Sequence, residues 1–267
     1  MSFADRVLVT GSGGILGRHV CNSIAKIAPD AEVLRNRAEL TDFSAVKDHI
    51  QSLGELDLVL HLAAMVPTSD VDADPARAFA VNVGGTINVL TSLNKSSAKL
   101  VLCSSSHVYA SSPDPLSEGD LTVPISTYGK SKLLAENAAQ EICAATDRPL
   151  TVARLFSIHD PAQTGSYLRP SLERKIAQAD RSVPFELFGA DSVRDFLPAA
   201  KAAEILVRLA LSDENGVVNV ASGTPVRVSE FAQSLAPFPL EIKSMGDANC
   251  LIANVSRLRS ILGEYDV

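Results

Sequence analysis

Short apolar or β-branched runs alternate along this chain with longer stretches whose apolar positions recur at helical spacing. Val7-Leu8-Val9 is followed by a helical pattern over about 16–27, and Ala31-Glu32-Val33-Leu34 forms the next strand. Leu58-Val59-Leu60 precedes a pattern over about 76–93, and Leu100-Val101-Leu102 precedes one over about 127–144. Leu150-Thr151-Val152-Ala153 closes the series. Uninterrupted apolar strands suit a parallel sheet covered by helices on both faces, a doubly wound α/β architecture. Such sheets bind ligands at the carboxyl ends of their strands, so the chemistry is expected in the residues just after each strand.

Beyond about residue 155 the pattern loosens, with Asp160-Pro161, Arg169-Pro170 and Val183-Pro184 interrupting it. Alternation resumes with a helix over about 199–211 and the strand Val217-Val218-Asn219-Val220. Residues 1–155 are therefore read as the doubly wound, dinucleotide-binding domain. Residues 156–267 are read as a mixed segment that completes the sheet and forms a smaller C-terminal lobe over the site.

The first strand runs into Thr10-Gly11-Ser12-Gly13-Gly14-Ile15-Leu16-Gly17, a G-x-x-G-x-x-G loop that opens a helix. Glycines there permit a tight turn and let the backbone approach a pyrophosphate, which the helix N-terminus then binds through its N–H groups and dipole. A glycine-rich turn alone says little; its place at the first strand–helix junction of an alternating chain makes it a dinucleotide site. At the end of the second strand, where an acidic residue would accept the ribose hydroxyls of NAD, the chain has Arg35-Asn36-Arg37. A guanidinium pairs with a 2′-phosphate, so NADP(H) is favoured over NAD(H); the alternative is two solvated loop arginines. Asp42 and Phe43 are expected at the edge of the adenine.

Tyr128-Gly129-Lys130-Ser131-Lys132 places a phenol and an ammonium four residues apart near a helix start, on one face. A phenol titrates near 10 and carries protons poorly at neutral pH unless a neighbouring cation lowers that value. Cys103-Ser104-Ser105-Ser106-His107-Val108-Tyr109 follows the strand at 100–102, where a hydroxyl can meet substrate. Either motif alone would be unremarkable, since serine clusters after strands are more often turns or caps.

Together these segments resemble the extended short-chain dehydrogenase/reductase family, the NAD(P)-dependent sugar-nucleotide epimerase, dehydratase and reductase group with its Rossmann sheet. The resemblance covers most of the chain. It also rests on His61-Leu62-Ala63-Ala64, Asn82-Val83-Gly84-Gly85-Thr86, Val193-Arg194-Asp195-Phe196, Asn219-Val220-Ala221-Ser222-Gly223 and the stretch from Ser256 to Gly263. It implies Tyr128 as acid/base, Lys132 lowering its pKa and binding the nicotinamide ribose, and Ser105 as the catalytic hydroxyl, with Ser106 its substitute. It further implies Leu62, Ala63, Ala64 and Asn82 beside the cofactor, Asn82 having a purely structural alternative. Arg194 matches an arginine that grips a sugar-nucleotide diphosphate; its alternative is a surface salt bridge with Asp191 or Asp195. The chain departs from the family after Arg154, where it reads Leu155-Phe156-Ser157-Ile158-His159-Asp160-Pro161, and after Phe196, where it reads Leu197-Pro198-Ala199-Ala200. It is also shorter than typical members, mostly in the substrate lobe, which leaves the sugar and nucleotide unspecified.

Composition narrows the picture further. The 267 residues carry 24 Lys+Arg against 31 Asp+Glu, a net charge of −7, with 46% hydrophobic and 21% charged residues. This is globular composition, and its acidic balance gives no support for nucleic acid or an anionic membrane as partner. Anionic ligands must then be held by local arginines and backbone dipoles. No apolar stretch approaches a membrane span, and Met1-Ser2-Phe3-Ala4-Asp5-Arg6 has no signal-peptide pattern, so a cytoplasmic location is expected. Cys21, Cys103, Cys143 and Cys250 and the five histidines show no metal-ligand spacing, and no metal site is indicated.

NADP(H) as cofactor implies stoichiometric reduction, and the stretch from Val33 to Leu40 resembles the second-strand region of a family reductase. The expected function is therefore reduction of a keto group on a sugar nucleotide of the 4-keto-6-deoxyhexose type. The runner-up is a 4-epimerase that cycles the hydride on a retained cofactor. A non-catalytic NADP(H) sensor ranks third, because such folds tend to lose the Tyr or Lys kept here. By analogy with relatives, the helices near 76–93 and 127–144 are expected to pair into a homodimer through Ala135, Ala138, Ala139 and Ile142.

Overall fold

The computed structural model describes residues 4–93 and 97–263. Its first half follows the alternation closely. β1 (Arg6–Thr10), α1 (Ile15–Ile27), β2 (Glu32–Arg35), α2 (Phe43–Ser52) and β3 (Leu58–His61) lead to α3 (Thr68–Ala73) and α4 (Pro75–Phe79). A π turn (Ala80–Gly84) joins α4 to α5 (Gly85–Ser92); β4 (Lys99–Ser105), a 3₁₀ turn (Ser106–Val108), α6 (Thr127–Ala145) and β5 (Leu150–Leu155) follow. The second half contains β6 (Ser157–His159), α7 (Leu168–Ala177), β7 (Phe185–Phe188), β8 (Val193–Pro198), α8 (Ala199–Leu211) and β9 (Gly216–Val220). It ends with β10 (Pro225–Arg227), α9 (Val228–Leu235), β11 (Ile242–Met245), β12 (Cys250–Leu251) and α10 (Ser256–Leu262).

Six strands form one parallel sheet in the order β2-β1-β3-β4-β5-β9. Side chains alternate across it: Val7 and Val9 of β1 pack with Val20 and Ile24 of α1 and with α8, whereas Leu8 packs with Val46, Ile50 and Val89 on the other face. With both faces covered, the central positions of β1, β3 and β4 are apolar on both sides, which is why these strands read as continuous hydrophobic runs. From the C-terminal half, β9 pairs with β5 at the sheet edge and α8 packs on α1. Its remaining strands build a lobe with its own core around Leu172, Ile176, Phe185, Leu187 and Phe231.

The predicted helix over about 76–93 is continuous from Pro75 to Ser92 but widens into the π turn at Ala80–Gly84, where Asn82 points inward to hold Met65 and Ser131. The faces of α6 also need correcting. Ala135 and Ala139 are completely buried, Ala139 against Leu100 and Leu102, so they belong to the core of one subunit and not to an outward face. Leu134 and Ala138 are the α6 residues that share an outward apolar face with Phe79, Val83 and Ile87. Alanine fits either environment, so its spacing could not assign the face.

Candidate active site

The site is a cleft of about 810 Å³ at the carboxyl edge of the sheet, between the sheet and the lobe. Its floor at one end is the glycine loop. Gly11 adopts φ +69°, and a Cβ on it would lie 2.8 Å from Ala63 N. A Cβ on Gly17 would lie 2.2 Å from the Gly11 carbonyl, so α1 presses onto the turn only because residue 17 has no side chain. Gly14 at the N-cap supplies no side-chain cap and the first turn of α1 holds no acidic residue, which leaves its N–H groups for an anion. Gly11, Gly14, Ile15, Leu16 and Gly17 line the cleft; Ser12 and Gly13 form the outer tip of the same turn.

A buried relay sets the wall beside the glycine loop. Ala63 N–H donates to Thr10 Oγ1 (3.2 Å), which lies 2.8 Å from His61 Nδ1. His61 Nε2 lies 3.1 Å from Thr86 Oγ1, which itself donates to the Asn82 carbonyl (2.7 Å). Thr86 can then only accept from His61, which puts the imidazole proton on Nε2. Burial, reinforced by the Lys132 charge, holds His61 at about 3, so the ring is neutral. The relay fixes Leu62, Ala63 and Ala64, all in the cleft lining, against Gly11.

From the end of β2, the residues that reach the cleft are Asn36, Ala38, Glu39 and Leu40. Arg35 and Arg37 are exposed and stand outside this lining. Asp42 is engaged as the N-cap of α2, accepting from Ala45 N–H (3.0 Å), and Phe43 is exposed beside it; neither lines the cleft. Asn36 was not singled out by its sequence position. Its Nδ2 donates to the Ala38 carbonyl (2.8 Å), leaving Oδ1 buried without a partner. An uncapped helix start, a side-chain-free cradle and an orphaned acceptor together fit a dinucleotide. Gly11 to Gly17 would hold its pyrophosphate and Asn36 its adenosine end.

At the other end, Ser126 caps α6 by accepting from Gly129 N–H (3.0 Å), and Tyr128 and Lys132 project one turn apart into the cleft. Both are buried, at 7% and 3% exposure. Burial pushes the phenol above its ordinary range, opposed by the hydrogen bond with the Ser105 side chain. Burial also lowers the Lys132 ammonium, against the favourable charges of Cys103 and Glu136. The Tyr128 shift is thus upward, with desolvation outweighing the hydrogen bond with Ser105. Ser105 Oγ accepts from His107 N–H (3.2 Å), and Ser106 begins the 3₁₀ turn beside it. The side-chain hydrogen bond with Tyr128 is made by Ser105.

Asn82 is buried but outside the lining; it donates to the Met65 carbonyl and to Ser131 Oγ and accepts from Met65 N–H, which is its structural alternative. Arg194 lines the lobe side of the cleft, its Nη1 donating to the carbonyls of Val193 and Asn249, each at 2.9 Å. Neither Asp191 nor Asp195 pairs with it. Asp195 is turned inward to accept from Ser222 and Gly223 N–H groups, both at 2.7 Å. The lobe also brings His159, Tyr167, Arg169, Phe196 and Phe231 to the cleft, with Phe196 and Phe231 stacked at 4.0 Å. Of these only Phe196 stood in a motif, as the last residue of the Val193–Phe196 segment. Among the described residues no group of three or more His, Cys, Asp or Glu could hold a metal, and all four cysteines are free.

A doubly wound sheet with a glycine cradle and a buried Ser–Tyr–Lys set defines an NAD(P)-dependent enzyme of the extended short-chain dehydrogenase/reductase class. The chain belongs to the NAD dependent epimerase/dehydratase family, whose model matches residues 7–221. It is 30% identical over 243 residues to the GDP-6-deoxy-D-mannose reductase of Pseudomonas aeruginosa, covering 87% of this chain and 79% of that protein. It is 25% identical over 307 aligned residues to the UDP-glucose 4-epimerase of Rhizobium leguminosarum bv. trifolii, covering 98% of this chain and 94% of that protein. The solved structure of RMD from Pseudomonas aeruginosa complexed with NADPH superposes with a TM-score of 0.85 at 27% identity, covering 97% of this chain and 92% of the other.

Proposed function

We propose that this protein reduces a keto group on a sugar nucleotide of the 4-keto-6-deoxyhexose type, with NADP(H) as cofactor and Tyr128 as proton donor. The observation that carries the reading is the meeting of the Ser105 and Tyr128 hydroxyls in the cleft beside the glycine cradle. The nicotinamide ring, when bound, supplies the hydride to the carbonyl carbon. The Tyr128 phenol, kept protonated by burial, gives its proton to the carbonyl oxygen as charge builds there. Ser105 donates a hydrogen bond to the same oxygen. Lys132, a buried cation one turn along α6, offsets the charge left on the phenolate. Arg194, anchored by two carbonyls, presents its remaining donors to the diphosphate.

Support for NADP(H) is the pair of exposed guanidinium groups, Arg35 and Arg37, at the end of β2, together with NADPH in the Pseudomonas structure. The 4-epimerase reading is second, favoured by the epimerase relative that aligns over nearly the whole chain. The apolar face formed by Phe79, Val83, Ile87, Leu134 and Ala138 is the surface we assign to a homodimer. The test is turnover of NADPH with GDP-4-keto-6-deoxymannose. We expect net NADPH consumption, and Tyr128→Phe should lower kcat by about 10²–10⁴-fold with NADPH binding retained. Interconversion of a sugar nucleotide at C4 without net cofactor use would replace this reading with the epimerase.

A further inference from the structure

His107 lies in the middle of the catalytic group, and the roles above give its side chain nothing to do. Its backbone is clamped. The N–H donates to Ser105 Oγ (3.2 Å), and the carbonyl sits where a Cβ on residue 129 would approach within 2.2 Å, so Gly129 lets α6 close onto it. Its ring meets the Tyr128 ring edge-on, with centroids 5.6 Å apart. The side chain lines the cleft, and its ring nitrogens make no hydrogen bond among the described residues. A rigid, half-buried imidazole with both nitrogens unengaged, next to the two hydroxyls that define the reacting oxygen, is a recognition element awaiting a partner.

We propose that His107 selects substrates that carry a hydroxyl on the carbon next to the reacting carbonyl, by exchanging hydrogen bonds with that hydroxyl. This deepens the keto-sugar reading and rests on it. Ser105 and Tyr128 address the carbonyl oxygen, and His107, two residues past Ser105 and in ring contact with Tyr128, addresses the neighbouring substituent. The alternative role, removing a proton from that carbon, is disfavoured by the electrostatics. Burial and then the Arg194 charge hold the imidazole at about 4, far below the value that suits a base at neutral pH. The same effect keeps one nitrogen a donor and the other an acceptor, the complement of a hydroxyl. An anionic group in the cleft is met by Arg194 instead.

The experiment compares GDP-4-keto-6-deoxymannose with its 3-deoxy analogue, using the wild-type protein, His107→Phe and His107→Gln. Phe keeps the ring contact and deletes both hydrogen-bonding atoms; Gln restores a donor and an acceptor. His107→Phe should lower kcat/KM for the hydroxylated substrate by about 10–100-fold and move the deoxy analogue by less than about threefold, and Gln should recover part of the loss. Equal losses on both substrates would show that His107 acts through Tyr128 and overturn the proposal, as would no loss on either. Deuterium incorporation from solvent at the carbon bearing the hydroxyl, abolished in His107→Phe, would overturn it in favour of proton removal. If wild-type protein binds NADPH but reduces neither compound, the keto-sugar reading itself falls.

Discussion

The ion pair behind the active site offers the sharpest test of how this fold is held together. Glu136 on α6 is 1% exposed and Arg154 on β5 is 6% exposed, with Nη2 2.7 Å from Oε2 and Nε 3.1 Å from Oε1. The second carboxylate contact is with the Ser104 hydroxyl, and the guanidinium lies 4.7 Å over the Tyr109 ring, whose hydroxyl donates to Asn219 Oδ1 (2.7 Å). Arg154→Met leaves a carboxylate with one neutral partner in the core. Stranding such a charge costs about 3–5 kcal/mol, and loss of the contact with Tyr109 adds roughly 0.5–2 kcal/mol. For a chain of this size the melting temperature should fall by about 10 °C. Adding Glu136→Gln to Arg154→Met removes the stranded charge, so the double variant should be more stable than Arg154→Met by about 2 kcal/mol. Calorimetry, or a urea titration where unfolding is reversible, measures both quantities. A loss below about 1 kcal/mol for Arg154→Met, or strict additivity in the double variant, would refute the argument that the pair matters by not leaving a charge alone.

Three further outcomes follow from the same structure. Gly17→Ala forces a Cβ against the Gly11 carbonyl and should cost about 1–3 kcal/mol and most NADPH affinity, whereas Gly13→Ala, with nothing within 4 Å, should leave the melting temperature unchanged; thermal shift with and without NADPH reads both. His61, at about 3, and His107, at about 4, are neutral in the fold but protonate near 6.5 when unfolded. In that window the unfolded state binds more protons, so stability should be full above pH 6.5 and fall by roughly 1.4 kcal/mol per pH unit per ring as acidity rises toward pH 4; His61→Gln should flatten the slope seen in melts across pH 4–7. Leu134→Glu places a charge on the outward face of α6 and should convert a dimer to a monomer by light scattering; an unchanged mass would remove that face as the interface.

Local sequence carried the sheet, the glycine cradle and the Ser105, Tyr128 and Lys132 set, because each depends on contacts within one strand–turn–helix unit. Period-two and helical apolar spacing place strands and helices. A turn that needs glycine shows it, and residues one helical turn apart share a face wherever the helix goes. That is why Gly17 and the Tyr128–Lys132 pair were legible and stand together in the cleft.

The tertiary structure decided everything that depends on what lies opposite. Ala135 and Ala138 have the same chemistry, and only the packing of α6 on the sheet made one core and the other surface. Arg35 and Asn36 are adjacent, yet the strand's alternation turned Asn36 to the cleft and left Arg35 exposed. The sign of the Tyr128 shift is likewise a three-dimensional fact: spacing does not show the depth of burial, and here desolvation outweighs the hydrogen bond with Ser105. Arg194, Phe196 and Phe231 reach the site only because β8 and α9 fold back over it. Contacts between residues far apart in the chain leave no periodic trace, so apart from Arg194, which the family motif implied, the lining contributed by the lobe had to be seen folded.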